Sequence, residues 1–255
     1  MKTLGARLLA PVLGVIAFFA AWQAAIEVWN IPKYALSSPL DILRSLRTSP
    51  RFYFDQARPT LWAALLAFVL SLLIGTVAAS IMASSRFVER AASPLIVLVQ
   101  VTPILAYAPA VVIWLGYDLA PILFLTVLIS TVPFIANGVT GLRSVAPLLL
   151  ELAHSVDARR WEVFVRLRLM SALPSLFSAA RIAVGTVLIG VVIGEWFAGV
   201  SSGLGYTIKV ASNRNLPLVM WASVFVLGTL GALTIVLIGL LERIVLHWHA
   251  SQRRA

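Results

Sequence analysis

The sequence has no cysteine and little charge, and each absence excludes a large class of proteins. Without cysteine, the chain of 255 residues forms no disulfide, binds no metal through thiolates and has no cysteine nucleophile. Charged residues make up only 12% of the chain, about half their share in ordinary soluble domains, whereas 60% of the chain is hydrophobic. Such a composition excludes disorder, which needs low hydrophobicity. The sequence therefore predicts an integral membrane protein.

Acidic residues and lysines are also scarce. Ten Asp and Glu stand against 20 Lys and Arg, which gives a net charge of +10, and only three of the basic residues are lysines. A basic balance is typical of nucleic-acid-binding proteins, but membrane proteins also retain Lys and Arg in their cytoplasmic loops. Because the arginines are scattered between apolar runs, we expect no nucleic-acid partner.

Long uncharged runs predict where the chain crosses the membrane. A spanning helix needs about 20 mainly apolar residues, and five runs between charged residues contain 19 to 27 positions. A sixth apolar region carries Arg181, which we expect to reach the interface with its long side chain, and Glu195. The predicted fold is an all-α integral membrane protein with one domain over residues 1–255. Its six predicted spans are residues 8–28, 60–83, 91–115, 119–142, 173–198 and 216–241.

The distribution of basic residues predicts the orientation of the chain. With the N-terminus inside, cytoplasmic segments carry twelve Lys and Arg residues and external segments carry seven, and a cytoplasmic excess is the usual arrangement. We therefore expect both termini in the cytoplasm. The first apolar run is expected to be an uncleaved span, because it is longer than the apolar part of a signal peptide. Residues 30–58 are basic yet predicted external, so two placements stay open: outside the membrane, or in the interface as an amphipathic helix.

A long predicted cytoplasmic loop, residues 143–172, contains the signals of two short helices. Pro147 suits the first turn of one helix, and Asp157 is a residue type that favours turns and helix N-caps. In the second helix, Trp161 and Phe164 are three residues apart and share one face. That face either packs under its own bundle or forms a knob for a partner's groove. The residues alone leave both interpretations open.

This loop resembles the EAA loop of the permease subunits of ABC importers. The family pattern reads E-A-A-x-x-x-G-A, followed by F, I, L-P and a final P, and the register fits here over 24 residues without a gap. Three positions depart from it: Leu152 replaces an alanine, Asp157 replaces the turn glycine and Met170 replaces the first proline. The predicted coupling residues are Glu151, Ala153, Asp157, Ala158, Trp161, Phe164, Leu167, Leu169 and Pro174.

Further motifs are similar to two branches of this family, and the resemblance covers about residues 10 to 245. The nitrate, sulfonate and taurine branch is similar at residues 102–109, 114–116, 194–196 and 203–205. The pyrimidine-precursor and riboflavin-type members are similar at residues 137–144 and 203–206. The substrate expected from the resemblance is a thiamine- or riboflavin-type heteroaromatic precursor or a sulfonate- or nitrate-like anion, with a slight preference for the precursor.

The resemblance implies a fold like that of type I ABC importer permeases and a transport subunit that is not an enzyme. In this family the EAA loop docks in a cleft of a cytoplasmic ATPase, which binds ATP and magnesium, and a solute-binding protein delivers the substrate outside. The resemblance thus implies no cofactor or metal on this chain, a homodimer with a second permease copy, and the bacterial inner membrane as its location.

The residues give independent support for a separate ATPase. A phosphate-binding loop has a lysine directly after a glycine, and none of the three lysines follows one. Residues 199–203 match the G-x-S-x-G pattern of hydrolases, but they follow a predicted span instead of a strand, so we predict no catalytic residue. The alternative function is an ion-coupled secondary transporter, although such carriers usually contain inverted repeats and none is evident here.

Polar residues within the spans are candidates for a translocation path or a gate. Three prolines interrupt the third span, and the carbonyls that proline frees are tolerated at membrane depth only beside protein or a wet cavity. A kinked packing helix explains the prolines equally well. For Glu195, two interpretations stay open: it is a gate or a structural tie, or it is simply exposed at the interface. The candidates are Gln100, Thr102, Tyr107, Asn137 and Glu195.

Overall fold

The computed structural model describes residues 2–247, and within this range the chain is helical and contains no strand. This confirms the predicted all-α class. The helices are α1 (Lys2–Val28), α2 (Pro39–Thr48), α3 (Pro50–Ser84), α4 (Arg86–Val101), α5 (Ile104–Leu115), α6 (Leu119–Leu142), α7 (Pro147–Ser155), α8 (Arg160–Glu162), a π-helical segment (Val163–Leu169), α9 (Met170–Phe197), α10 (Leu204–Asn213) and α11 (Pro217–Val245).

Local sequence signals set several helix ends. The Ser38 hydroxyl accepts a hydrogen bond from the Asp41 backbone N–H at 3.1 Å, and Pro39 occupies the first position of α2, where its missing N–H is not needed. Ser85 caps α4 in the same way, because its hydroxyl accepts from the Val88 N–H at 3.4 Å. These two serines therefore explain where α2 and α4 begin.

Among the described residues, four helices are long and apolar enough to cross a membrane. They are α3, α6, the continuous helix of residues 160–197, and α11, and the bent pair of α4 and α5 makes a fifth if it counts as one span. In α1, the apolar part with described side chains is Val12–Val28, which is shorter than a usual span. The predicted count of six spans therefore stays a prediction.

The third predicted span, residues 91–115, differs from a single helix. α4 and α5 are bent by 100° at a break over Thr102 and Pro103. A residue before proline is disfavoured in the helical region, and Thr102 accordingly has an extended ψ of 119°. Pro94 and Pro109 lie inside α4 and α5 without breaking them. Of the three prolines, only Pro103 ends a helix.

The chain folds into two compact units, which are described separately. One consists of the residues up to Pro59 together with Ser202–Gly228, and the other of Thr60–Ser201 together with the residues from Thr229 onward. α3 and α11 each run through a unit boundary without interruption. The prediction of one domain over the whole chain stays a prediction.

In the larger unit, α6 and α9 pack closely because glycines lie between them. A Cβ placed on Gly190 would be 2.7 Å from Thr126 Cα, and one on Gly194 would be 2.8 Å from Ile122 Cα. Small residues of this kind let two membrane helices approach closely. Phe134 is fully buried in the main apolar cluster of this unit, which contains residues of α3, α6, α9 and α11.

In the smaller unit, aromatic side chains join α1 to the beginning of α11. The Trp22 and Trp221 rings meet edge to face at 6.1 Å, and Phe19 meets Phe225 at 5.8 Å. α2 lies within the segment whose placement was left open, and it buries Ile42 while its outer leucines stay exposed. A helix with two such faces agrees with the amphipathic pattern of this segment, and its position relative to the bilayer stays a prediction.

Candidate functional site

The loop segment of residues 143–172 contains one separate helix, α7, and the first turns of a long helix. α7 is separate, as predicted, but the expected second helix of residues 158–169 does not end before the next span. α8 and the π-helical segment instead run directly into α9, which makes one helix of 38 residues. An unbroken helix therefore connects Arg160 to Phe197.

The turn between α7 and α8 depends on the backbone of Asp157. This residue has a φ of +50°, in the left-handed region that glycine adopts most readily. The Ala158 N–H donates to the Ala153 carbonyl at 2.9 Å, which closes the end of α7 in the geometry typical of a helix C-terminus with a left-handed residue. Asp157 thus adopts the conformation expected at a glycine position, because Asp tolerates it better than most residues.

An apolar ridge lies exposed on the loop segment and consists of Leu148, Leu149, Leu152, Val156 and Trp161. Their exposed fractions lie between 45% and 74%. Exposed apolar side chains gathered in one segment mark a surface that something covers. A knob for a partner needs such exposure, and that interpretation stays a prediction.

Trp161 and Phe164 connect the apolar ridge to the interior of the larger unit. Their rings stack at 6.0 Å with an interplanar angle of 27°. Trp161 is 72% exposed, whereas Phe164 is partly buried and packs against the main apolar cluster. The pair therefore links a surface contact to the core through direct side-chain packing.

The other predicted coupling residues lie before and after the Trp161–Phe164 pair in the sequence. Ala153 is buried and Glu151 is exposed on α7, and Ala158 is half-buried in the turn. The Arg159 backbone N–H donates to the Glu162 carboxylate at 3.2 Å, which satisfies one free N–H at the start of α8. The remaining predicted members are half-buried: Leu167, Leu169 and Pro174.

The predicted translocation residues lie on different helices of the larger unit: α4 and α5 with the break between them, α6, and α9. Thr102 donates to the Leu98 carbonyl at 2.8 Å, and Asn137 donates to the Pro133 carbonyl at 2.9 Å, so both side chains bond within their own helices. Gln100 is exposed on α4. Tyr107 is half-buried on α5 beside an apolar cluster, and its hydroxyl is buried without a hydrogen-bond partner.

Glu195 is buried, with 3% of its surface exposed. The Thr60 hydroxyl, on α3, donates to the Glu195 carboxylate at 2.7 Å across 135 residues of sequence. A buried carboxylate needs hydrogen bonds to offset its lost hydration. This arrangement favours a tie between α3 and α9 over exposure at the interface.

Sequence reasoning missed three partners. Thr60 was not recognised because a single threonine in an apolar run is ordinary. Arg181, expected to reach the interface, forms an ion pair with Glu242 of α11, whose side chain is only 12% exposed. Arg143 pairs with Glu89 at 2.7 Å. An arginine inside one apolar region and a carboxylate at the end of another are the one signal that could have suggested the pair of Arg181 and Glu242.

Comparisons with known proteins find a matching family and several relatives of this chain. A family described as "Binding-protein-dependent transport system inner membrane component" matches residues 71–247. The formylaminopyrimidine transport permease protein ThiX of Halalkalibacterium halodurans is 33% identical over 245 residues, which cover 96% of this chain and 97% of that protein. The riboflavin transport system permease protein RibX of Chloroflexus aurantiacus is 32% identical over 251 residues, with 94% and 92% covered.

A more distant relative and a solved structure extend the comparison. The taurine transport system permease protein TauC of Escherichia coli is 27% identical over 250 residues, covering 94% of this chain and 90% of that protein. The crystal structure of an amino acid ABC transporter with histidines matches with a TM-score of 0.61 and 16% identity, over 79% of this chain and 97% of that chain. At this identity the likeness concerns the fold alone.

Proposed function

This chain belongs to the binding-protein-dependent transport system inner membrane component family, and we propose that it forms the translocation path of an importer for a small heteroaromatic solute. Family membership makes it a multi-pass membrane permease subunit of an ABC transporter and not an enzyme. It also implies ATPase and binding-protein partners in general. The alternative of an ion-coupled secondary transporter finds no support among its relatives.

The apolar ridge docks on the cytoplasmic ATPase, which binds ATP and magnesium. The observation that carries this proposal is the Trp161–Phe164 stack, because one ring is exposed to a partner and the other packs on the core. Large aromatic side chains seated in a partner's pocket supply much of the binding energy of an interface. The resemblance of residues 151–174 to the EAA loop supports this proposal, because in that family the loop docks on the ATPase.

Closure of two ATPase subunits moves this segment, and the helix of residues 160–197 carries the movement into the membrane. That helix is continuous and packs on α6 at Gly190 and Gly194, so the two helices move together. A π-helical segment, Val163–Leu169, lies between the apolar ridge and α9, and such segments occur frequently at functional sites.

The substrate proposal rests on the names of the relatives. The permeases named for formylaminopyrimidine and riboflavin are 33% and 32% identical to this chain, whereas those named for aliphatic sulfonates and taurine are 26% to 28% identical. A heteroaromatic vitamin precursor is therefore the better supported solute, ahead of a sulfonate- or nitrate-like anion. The solute-binding protein that delivers it acts on the side opposite the apolar ridge.

The remaining parts of the proposal concern assembly and orientation. Two copies of this chain form a homodimer in the bacterial inner membrane, with both termini in the cytoplasm, which the excess of basic residues on that side supports. Gln100, Thr102, Tyr107, Asn137 and Glu195 are the proposed path or gate residues. Among them, Tyr107 has a buried hydroxyl without a hydrogen-bond partner among the described residues, so a rearrangement of α5 would be needed to expose it to a solute.

The experiment compares two tryptophan substitutions in the purified complex. Trp161→Ala is expected to weaken binding of the ATPase by about thirty-fold or more, the loss typical of an interface tryptophan. Trp29→Ala is the matched control, because Trp29 is 73% exposed and lies on the predicted external side. Undiminished co-purification and ATPase stimulation with Trp161→Ala contradicts the proposed docking surface.

A further inference from the structure

A basic cleft of about 900 Å³ lies between Arg143 and the Arg86–Leu98 face of α4. It opens where α3 and α6 end and α4 begins, so it lies at one end of the helical bundle. Three arginines line it against one carboxylate, Glu89, among the residues that the structure describes. None of the predicted coupling residues and none of the proposed path residues lines it, although Arg143 is the first residue of the loop segment of residues 143–172.

Arg143 is the fixed wall of the cleft. Its guanidinium donates to the Glu89 carboxylate at 2.7 Å and to the Met82 carbonyl at 3.0 Å. The Met82 carbonyl belongs to the last turn of α3, where carbonyls lack partners within the helix. Arg143 and Glu89 therefore neutralise each other's charge, and these contacts join the ends of α3 and α6 to the beginning of α4.

Arg86 and Arg90 form the free positive charge of the cleft. Both are exposed, and within the described part of the chain neither forms an ion pair. They are one helical turn apart, where like charges repel, and they lie near the positive end of the α4 dipole. An anion bound between them would offset the repulsion of the two like charges and their unfavourable position near the positive end of the dipole. Glu89 does not neutralise them, because it is paired with Arg143.

The other half of the cleft is apolar. Pro94, Val97 and Leu98 continue the same side of α4 away from the arginines. Val97 and Leu98 are 52% and 57% exposed, and α4 buries no side chain at all among the described residues. The cleft therefore offers guanidinium groups at the end of the bundle and an apolar wall along its length.

We propose that this cleft binds the phosphate headgroup of an anionic membrane lipid, with the acyl chains along Val97 and Leu98. Basic pockets between membrane helices are suited to acidic headgroups, and guanidinium groups bind phosphate oxygens in bidentate geometry. A free phosphate-bearing solute shares the headgroup chemistry but makes no use of the apolar wall. A second copy of this chain is a poor occupant, because its net charge of +10 offers little acidic surface.

The test measures lipid binding to the full chain in complex with its ATPase subunits. Native mass spectrometry is used to titrate the complex with phosphatidylglycerol and with phosphatidylcholine that has the same acyl chains. Phosphatidylglycerol is expected to bind more tightly. Replacing both arginines, Arg86→Gln with Arg90→Gln, is expected to weaken its binding about thirty-fold, and Arg86→Gln alone about five-fold, while phosphatidylcholine binding stays unchanged.

The control removes the same charge elsewhere. Arg44→Gln with Arg47→Gln changes two exposed arginines of α2 and is expected to keep the preference for phosphatidylglycerol. The proposal is overturned if the two lipids bind the unmodified complex equally or if the control variant loses as much as the cleft variant. Binding of inorganic phosphate as tight as that of phosphatidylglycerol also overturns it, in favour of a free phosphate-bearing solute.

Discussion

The Thr60 hydroxyl lies 2.7 Å from the Glu195 carboxylate and joins α3 to the C-terminal part of α9 by a buried hydrogen bond. Glu195 is almost fully buried, and Thr60 is 1% exposed. The bond connects two long apolar helices near one end of each. It accounts for a carboxylate in an apolar span without an adjacent cation in the sequence.

Replacing Thr60 tests this bond. Thr60→Val removes the donor while keeping the shape of the side chain, and we expect it to lower the free energy of unfolding by about 1–3 kcal/mol, the cost of leaving a buried acceptor less satisfied. Thr60→Ser keeps the hydroxyl and is expected to stay within about 1 kcal/mol of the parent chain. Denaturant unfolding of the purified protein in detergent measures both. Equal stability of the valine variant and the parent chain would show that the bond contributes nothing.

Close packing of α9 on α6 predicts different outcomes at two glycines of the same helix. A Cβ at Gly190 would be 2.7 Å from Thr126 Cα, whereas nothing lies within 4 Å of a Cβ at Gly185. Gly190→Ala should therefore destabilise the protein by about 1–3 kcal/mol, as overpacking does. Gly185→Ala should be neutral or stabilise by up to about 1 kcal/mol, because alanine favours helix. Thermal unfolding of both variants decides the matter, and matching melting temperatures would contradict the packing described.

The left-handed backbone at Asp157 predicts a ranking of substitutions. Asp157→Gly and Asp157→Asn should preserve the turn, since both residue types adopt a positive φ at little cost. Asp157→Val should destabilise the turn by roughly 1–2 kcal/mol. Stimulation of the ATPase by the reconstituted permease is the measurement, because the turn orients the apolar ridge. A valine variant as active as the glycine variant would contradict this role.

The ion pair between Arg181 and Glu242 predicts rescue by exchange of charge. Arg181→Glu alone places two carboxylates together, and we expect a loss of about 1–3 kcal/mol, less than for a fully buried pair because Arg181 is 46% exposed. Combining Arg181→Glu with Glu242→Arg restores opposite charges and should recover most of the loss. The coupling free energy from a double-mutant cycle measures the pair. Additive effects of the two substitutions would show that the side chains do not interact.

The sequence predicted a helix correctly where charged residues mark both ends of an apolar run. The predicted span at residues 119–142 has the same bounds as α6, because charged residues stand directly outside both ends. The turn at Asp157 was also anticipated, since its residue type restricts the backbone locally. The EAA register located the segment that carries the exposed apolar ridge.

Features that depend on distant partners could not be read from the sequence. Three prolines lie in the predicted third span, and the sequence does not say which of them follows a helix end. Only packing decides that, so the break at Thr102 could not be predicted. The fusion of α8 with α9 was missed because no local signal separates a short loop helix from the first turns of a span. Arg181 was assigned to the interface because Glu242 lies 61 residues further along the chain.

Site-specific crosslinking tests whether the exposed face of residues 147–164 contacts the ATPase. The chain has no cysteine, so Trp161→Cys provides the only thiol for attachment of a crosslinker, and Tyr34→Cys, at an exposed position on the predicted external side, is the control. In membranes containing the assembled transporter, we expect the residue 161 variant alone to form an adduct with the ATPase subunit. Labelling of that variant from outside intact cells, without any ATPase adduct, would contradict the account.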